Sequence, residues 1–283
     1  MRIREGTLPS RDGHWLFWRA WEADEPRGVL AIVHGLGEHS GRYQRLAEAV
    51  VPRGWSCWAV DLRGMGRTEG RRGHIDRWAE WIDDAAALYE LAAGEAGPLE
   101  VVPLGHSFGG VVVTSAVLEG AIRPSRFVLS NPAFRARVAV PAWKMTAGRL
   151  ASRAWPALTF PNEVDPAGIS QDPAVVGAYR EDPLVHDRIS ARLHAEWVAA
   201  SRSVLGRAGQ LRVPFLLIVS GADRVVDPEG SMELDRGADC GQELRVYPDR
   251  YHEPFNDVGS DRVAEDLLDW LQASSAKPAE GRH

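Results

Sequence analysis

Short apolar, β-branched runs bounded by Gly, Pro or Asp recur along the chain: VLAIV (29–33), CWAV (57–60), LEVVPL (99–104), RFVL (126–129), PFLLIV (214–219) and ELRVY (243–247). A nearly unbroken apolar run of this length fits a strand buried on both faces, since a strand with one wet face would alternate. Between the runs, over 43–52, 78–93, 107–118 and 262–271, apolar residues recur every three or four positions, which predicts amphipathic helices. Strand and helix alternate, so the sheet is expected to be largely parallel and covered on both sides. Ahead of the first run, LPSRDGHWLFW sets apolar residues on either side of an Asp12-Gly13 turn signal, predicting an antiparallel hairpin at the sheet edge. About eight strands are expected.

The rhythm breaks once, between 131 and about 209. No run there reads as a strand, prolines are frequent (Pro132, Pro141, Pro156, Pro161, Pro166, Pro173, Pro183), and two helical patterns stand out. In the first, Val140, Trp143, Ala147, Leu150 and Ala154 share a face, with Lys144, Arg149 and Arg153 elsewhere; the second spans about 189–205. The expectation is one α/β core, 1–131 and 210–274, carrying a helical insertion over 132–209. The small, polar, Pro-containing end, 275–283, is expected to be a flexible tail.

Apolar residues at 45% and charged residues at 25% are ordinary for a globular chain, which excludes disorder, collagen or coiled coil as descriptions of the whole. A formal charge of -6, with basic residues scattered rather than gathered in a stripe, argues against a nucleic-acid partner. Cys57 and Cys240 can neither build a disulfide framework nor supply four zinc ligands, which favours a reduced intracellular setting. The start, MRIREGTLPSRDGHW, has no signal-peptide apolar core, and the apolar runs fall far short of the roughly 20 residues that span a bilayer. A soluble, cytoplasmic protein is expected. Among the tryptophans, Trp15, Trp18, Trp21, Trp55, Trp58, Trp78, Trp81 and Trp270 fall on predicted core elements, while Trp143, Trp155 and Trp197 fall in the insertion and are free to meet substrate or lipid.

The chemistry centres on Gly105-His106-Ser107-Phe108-Gly109, a G-x-S-x-G between a predicted strand and a predicted helix. A sharp turn there strains the serine backbone and crowds the chain, hence the flanking glycines, and it leaves the hydroxyl at a helix N-terminus whose dipole favours negative charge. Ser107 is the candidate nucleophile. Folds with this turn supply the partners in the order Ser, Asp or Glu, His. Beyond the last long strand lie only His252 and the terminal His283, so His252, in YPDRYHEPFND, is the candidate base. Asp223, directly after the Gly-Ala turn that ends PFLLIVSGA, is the preferred orienting carboxylate, with Asp227 the alternative. Two amides must face the alkoxide that forms on attack. Phe108 offers one; Leu36, between Gly35 and Gly37 in HGLGEHSGRY, offers the other. The glycines of that loop lack the G-x-G-x-x-G spacing, and no phosphate loop or H-E-x-x-H occurs, so neither cofactor nor metal is expected.

Together, HGLGEHSGRY, DLRGMGRTEG, GHSFGG, DPLVHDRISARL and GADRVVDPEGS make the chain resemble the monoacylglycerol lipase and lysophospholipase branch, of serine aminopeptidase S33 type, of the α/β-hydrolase superfamily, over about 7–271. The resemblance implies the α/β-hydrolase fold, an about eight-stranded mostly parallel sheet with helices on both faces, and the insertion as a helical cap over the site. It implies a triad of Ser107, Asp223 and His252, an oxyanion hole at Leu36 and Phe108, and Glu38 and Arg42 near the alcohol part of an ester. Gly35, His106, Trp143 and Trp155 are further candidate substrate contacts. The implied activity is hydrolysis of single-chain carboxylic esters, with monoacylglycerols the expected lipid substrate. The same parts could serve a general carboxylesterase, a lysophospholipase, a thioesterase or a peptidase, and the same scaffold a non-catalytic receptor. Trp143, Trp155 and Phe160 beside Lys144, Arg149 and Arg153 also resemble a helix that touches a membrane surface transiently, the alternative being burial against the core. Thr68 stands where the family's DxRGxGxS loop has serine, and apart from DPLVHDRISARL the cap matches only loosely.

Overall fold

A computed structural model of the chain describes residues 1–137, 152 and 154–274. Its strands are β1 (Arg2–Pro9), β2 (Trp15–Glu22), β3 (Gly28–Val33), β4 (Trp55–Val60), β5 (Glu100–His106), β6 (Phe127–Ser130), β7 (Thr159–Pro161), β8 (Arg188–Ser190), β9 (Phe215–Ser220) and β10 (Glu243–Tyr247). Eight of them form one sheet in the order β1-β2-β4-β3-β5-β6-β9-β10. The expected hairpin, β1 and β2, is antiparallel to itself and to β4, and every other pairing in this sheet is parallel.

The helices are α1 (Gln44–Val50), α2 (Trp78–Ala96), α3 (Phe108–Leu118), α4 (Pro173–Glu181), α5 (Ala191–Gly206), α6 (Glu229–Gly237) and α7 (Ser260–Ser274). Alternate residues of one strand enter opposite cores: Val29, Ala31 and Val33 of β3 join one, Leu30 and Ile32 the other. This period of two lets a continuous apolar run fill two layers. Trp81, Leu88, Val111, Leu193 and Leu234, from α2, α3, α5 and α6, close the first core; Leu46 and Val50 of α1 with Val263, Leu267 and Leu271 of α7 close the second. The four-residue spacing on α7 gives one apolar stripe, and Asp261 in its first turn suits the positive end of the helix dipole.

Seven of the eight tryptophans assigned to core elements are buried, but Trp15 is 62% exposed. Only Trp18 to Trp21 of β2 pair with β4, so Trp15 projects beyond the sheet, opposite Pro9 of the hairpin. The segment between β6 and β9 also departs from expectation. It contains the antiparallel pair β7 and β8, three residues each and too short to leave a pattern, and α4, whose start is marked by Asp172 accepting from the Ala174 amide and by Pro173 in the first turn. The second expected helix is α5, capped by the Ser190 hydroxyl accepting from the Leu193 amide at 3.0 Å. The first, including Trp143, Lys144, Arg149 and Arg153, lies outside the described residues.

Two core loops grip this segment through glycines in the left-handed region. A Cβ on Gly37 (φ 74°) would lie 2.2 Å from the His186 carbonyl oxygen, and one on Gly73 (φ 64°) 2.0 Å from that of Arg188. The same loops hydrogen-bond it, with the His186 amide donating to Gly37 and the Ser190 amide to Gly73. The loop after β4 is braced from behind. Arg63 forks onto the fully buried Asp84 of α2 and reaches Asp12. Thr68 Oγ1 accepts from the Phe17 amide at 2.8 Å and donates to the Asp61 carbonyl at 2.6 Å, so the Thr-for-Ser exchange keeps the hydroxyl's bonds.

Candidate active site

Ser107 occupies the turn from β5 into α3 with φ 52° and ψ −119°, a strained conformation for a residue with a Cβ. What enforces the turn is crowding. A Cβ on Gly105 would lie 2.4 Å from the Gly109 carbonyl oxygen, and one on Gly109 2.0 Å from that of Val33, so α3 can return against β3 only with glycine at both places. The serine backbone is held on both sides, its amide donating to Ser130 (2.9 Å) and its carbonyl accepting from Ala133 (2.9 Å).

Three side chains from distant loops meet there. His252 Nε2 lies 2.9 Å from Ser107 Oγ, and His252 Nδ1 2.7 Å from Asp223 Oδ2. Because the carboxylate can only accept, Nδ1 carries the proton and Nε2 is left to accept from the serine hydroxyl. The other Asp223 oxygen accepts from the Val225 and Val226 amides at 2.7 and 2.9 Å, which fixes the carboxylate's orientation. Burial disfavours the imidazolium of His252, yet the charge and hydrogen bond of Asp223 prevail and raise its pKa. Asp227, the alternative acid, instead accepts from the Glu229 amide at the start of α6.

The remaining candidates divide. Gly35 lies against the serine, since a Cβ there would come 3.1 Å from Ser107 Cβ; its amide, however, donates to Glu38 Oε1 at 2.6 Å. Leu36, next along, is partly buried against the first core, and the Phe108 ring is buried with its centroid 4.7 Å from that of Trp197 on α5. His106 packs beside His252 with ring centroids 4.9 Å apart and bonds Ser130; burial, then the neighbouring His252, push its pKa down to about 4. It is neutral at ordinary pH. Glu38 is buried and Arg42 partly so, and both are engaged within the protein: Glu38 also accepts from Tyr43 Oη and Arg42, and Arg42 donates through two nitrogens to Glu253, at 2.6 and 2.8 Å. Although burial opposes charge on Glu38, Arg42 and its histidine neighbours bring its pKa down to about 2. Arg42 also lies under the Tyr179 ring of α4, so this pair ties the loop after β3 to the histidine loop and to the insertion. Trp155 is 70% exposed, and Trp143 lies outside the described residues.

Sequence reasoning missed Glu253 and Asn131. Asn131 Nδ2 donates to the His252 carbonyl at 2.6 Å, and the one signal in the chain is an Asn-Pro at a strand end. Among the described residues, no group of three His, Cys, Asp or Glu side chains could hold a metal ion, and no helix is long and apolar enough to cross a membrane.

The sheet order, the serine turn and the loops gathered at the strands' carboxyl ends define an α/β-hydrolase. More narrowly, the chain belongs to the family described as serine aminopeptidase, S33, whose pattern matches residues 24–259. It is similar to the monoacylglycerol lipase of Mycolicibacterium smegmatis, 33% identical over 270 residues that make up 94% of this chain and 96% of the relative. Phospholipase YtpA of Bacillus subtilis is 32% identical over 84% of this chain and 92% of its own length. Among solved structures, the crystal structure of Paleococcus ferrophilus monoacylglycerol lipase matches with a TM-score of 0.79 at 29% identity, covering 96% of this chain and 99% of that one.

Proposed function

We propose that this chain is a serine hydrolase that cleaves carboxylic esters of single acyl chains, monoacylglycerols foremost, through an acyl-enzyme on Ser107. The observation that carries the reading is the unbroken hydrogen-bonded line Ser107 Oγ, His252, Asp223, at 2.9 and 2.7 Å. His252 takes the serine proton as Oγ attacks the ester carbonyl, and Asp223 stabilises the imidazolium without giving up its charge. The Leu36 and Phe108 amides hold the alkoxide; His252 then protonates the leaving alcohol, and water repeats the cycle to release the fatty acid. The segment 132–209 acts as a cap over the core formed by 1–131 and 210–274. Glu38 and Arg42 shape the alcohol side from behind rather than by contact, since the structure engages both in buried bonds.

The names of the Mycolicibacterium and Paleococcus relatives support a monoacylglycerol; the Bacillus relative is named a phospholipase, which supports a phospholipid ester, for a single acyl chain a lysophospholipid, as the second reading. A panel of monoacylglycerols, lysophospholipids and p-nitrophenyl esters decides between them, and a sharp preference for lysophospholipids would overturn the first. Ser107→Ala should lower turnover of a short p-nitrophenyl ester by at least about 10⁴-fold. Retained turnover would remove the nucleophile assignment.

The insertion also carries an exposed apolar edge, Trp155 (70%), Leu158 (46%) and Phe160 (44%), and Leu158 shares a cleft with Arg71, Arg72 and Arg188. This mixture suits transient contact with an anionic lipid surface, where rings enter the interface and guanidiniums meet headgroups. Co-sedimentation with phosphatidylglycerol vesicles but not with phosphatidylcholine vesicles is the expected result. Cys57 and Cys240 are both free thiols, which fits a reducing cytoplasmic setting.

A further inference from the structure

The histidine loop, between β10 and α7, has no regular structure of its own to aim the imidazole. The flanking amides of Tyr251 and Glu253 are tied to Asp257 and to the Ile169 carbonyl, while the His252 carbonyl itself accepts from a side chain that belongs to neither the histidine loop nor the acid turn. Asn131 directly follows β6 and is 1% exposed; its φ of 43° lies in the left-handed region, which among residues with a Cβ asparagine and aspartate tolerate best. This turn is stabilised by the Asn131 amide donating to the Ile218 carbonyl at 2.9 Å.

From there the carboxamide reaches two ways. Oδ1 accepts from the Ser220 amide at 2.7 Å, while Nδ2 donates to Ser220 Oγ at 2.9 Å and to the His252 carbonyl at 2.6 Å. The Ser220 amide can only donate and the His252 carbonyl can only accept, so these partners determine which end of the amide is which. Ser220 is the last residue of β9, and its carbonyl receives the Asp223 amide at 3.4 Å. The preceding residue, Ser130, accepts from the Ser107 amide. The pair Ser130-Asn131 therefore touches the segments bearing the nucleophile, the acid and the base.

We propose that Asn131 is a positioning residue for hydrolysis: it sets the distance between the acid strand and the base loop, and so holds the imidazole in line between Asp223 and Ser107. This rests on the triad reading above. A histidine displaced by a fraction of an ångström keeps its pocket but loses alignment with the serine proton, and misplacement of about 1 Å can cost 10²-fold in rate.

Asn131→Asp is the discriminating variant. It keeps the shape and the tolerance for positive φ, and it still accepts from the Ser220 amide while the Ser220 hydroxyl can turn to donate; against the His252 carbonyl it sets oxygen against oxygen. Asn131→Gly suits the same backbone and deletes the side chain, so it guards against failure of the first variant to fold. Turnover of a p-nitrophenyl ester is measured per Ser107 labelled to completion by a fluorophosphonate, so that misfolded molecules do not count. For Asn131→Asp we expect kcat per labelled site to fall roughly 10- to 100-fold, with a smaller fall for Asn131→Gly and KM within about twofold for both. Unchanged kcat per labelled site in both variants, even with fewer labelled sites or a lower Tm, would overturn the assignment and leave Asn131 a folding residue only. If Ser107→Ala hydrolyses like the parent, the triad reading itself fails; if Ser107→Ala is inactive and the Asn131 variants are not impaired, only the positioning role does.

Discussion

At the sheet's edge of the site, Ser107 sits in backbone pressed against backbone, with Gly105 and Gly109 leaving no room for a methyl group and with His252 and Asp223 buried behind it. Across from it, the segment between β6 and β9 contributes a strand pair three residues long and leaves Trp155, Leu158 and Phe160 in solvent. The first region is over-determined by sterics and hydrogen bonds, as transition-state stabilisation requires, because donors must already point where charge will appear. The second is anchored where α5 meets the core, through Leu193, Val204 and Trp197, and is open to solvent along that apolar edge. On the cap reading proposed above, the first region carries the chemistry and the second the choice of substrate, and the contrast can be tested from either side.

The largest effect is expected from loosening the stiff side. Asp84→Ala leaves Arg63 buried without its main partner behind the loop that follows β4, and should cost about 3–5 kcal/mol in urea unfolding. A loss under about 1 kcal/mol would show that loop to be less constrained than its bonds imply. Next comes pH. His252 must be neutral to accept the serine proton, and its pKa is raised, so activity is present above that pKa and lost as pH falls through it. The acid limb of kcat/KM should lie above the ordinary histidine value of about 6.5, falling about tenfold per unit below its midpoint. A limb well below 6.5 would mean that Asp223 does not act on His252. His106, at about 4, should add no second limb near neutrality. The smallest effect belongs to the insertion. Replacing Trp155 and Phe160 together by alanine should change stability by no more than about 0.5 kcal/mol and leave turnover of a soluble short ester as it was, while reducing co-sedimentation with anionic vesicles. Equal losses on soluble ester and vesicles would abolish the distinction drawn between the two regions.

The same contrast explains what could be read from the amino acids alone. Five of the six apolar runs became inner strands, which must be apolar throughout because both faces are covered; the sixth, ELRVY, is instead the edge strand β10, none of whose residues is buried, as its Glu243 and Arg245 allow. Ser107, Asp223 and His252 could be named because a crowded turn and a chain order leave a local trace. Glu253 leaves none, and Asn131 only an Asn-Pro at a strand end. Their partners are far off in sequence, 121 residues from Asn131 to His252 and 211 from Glu253 to Arg42, and hydrogen bonds across such gaps impose no period. Glu38 and Arg42 were expected near the alcohol part of the substrate; the structure adds that their bonds inside the protein tie the loop after β3 to the histidine loop, which adjacency in a motif does not reveal. Trp15 misled for a related reason, since lying on a strand does not guarantee a neighbouring strand to cover it.

The two glycines that hold the insertion, Gly37 and Gly73, both bear on one short stretch of it. The carbonyls that stand where side chains would be on these glycines belong to His186 and Arg188, two residues apart within the insertion. A side chain at either glycine would push directly on that point, whereas exposed positions such as Trp155 and Phe160 meet no such obstacle. On the cap reading proposed above, exchanges along that exposed edge alter what the insertion presents to an acyl chain without moving the reaction centre.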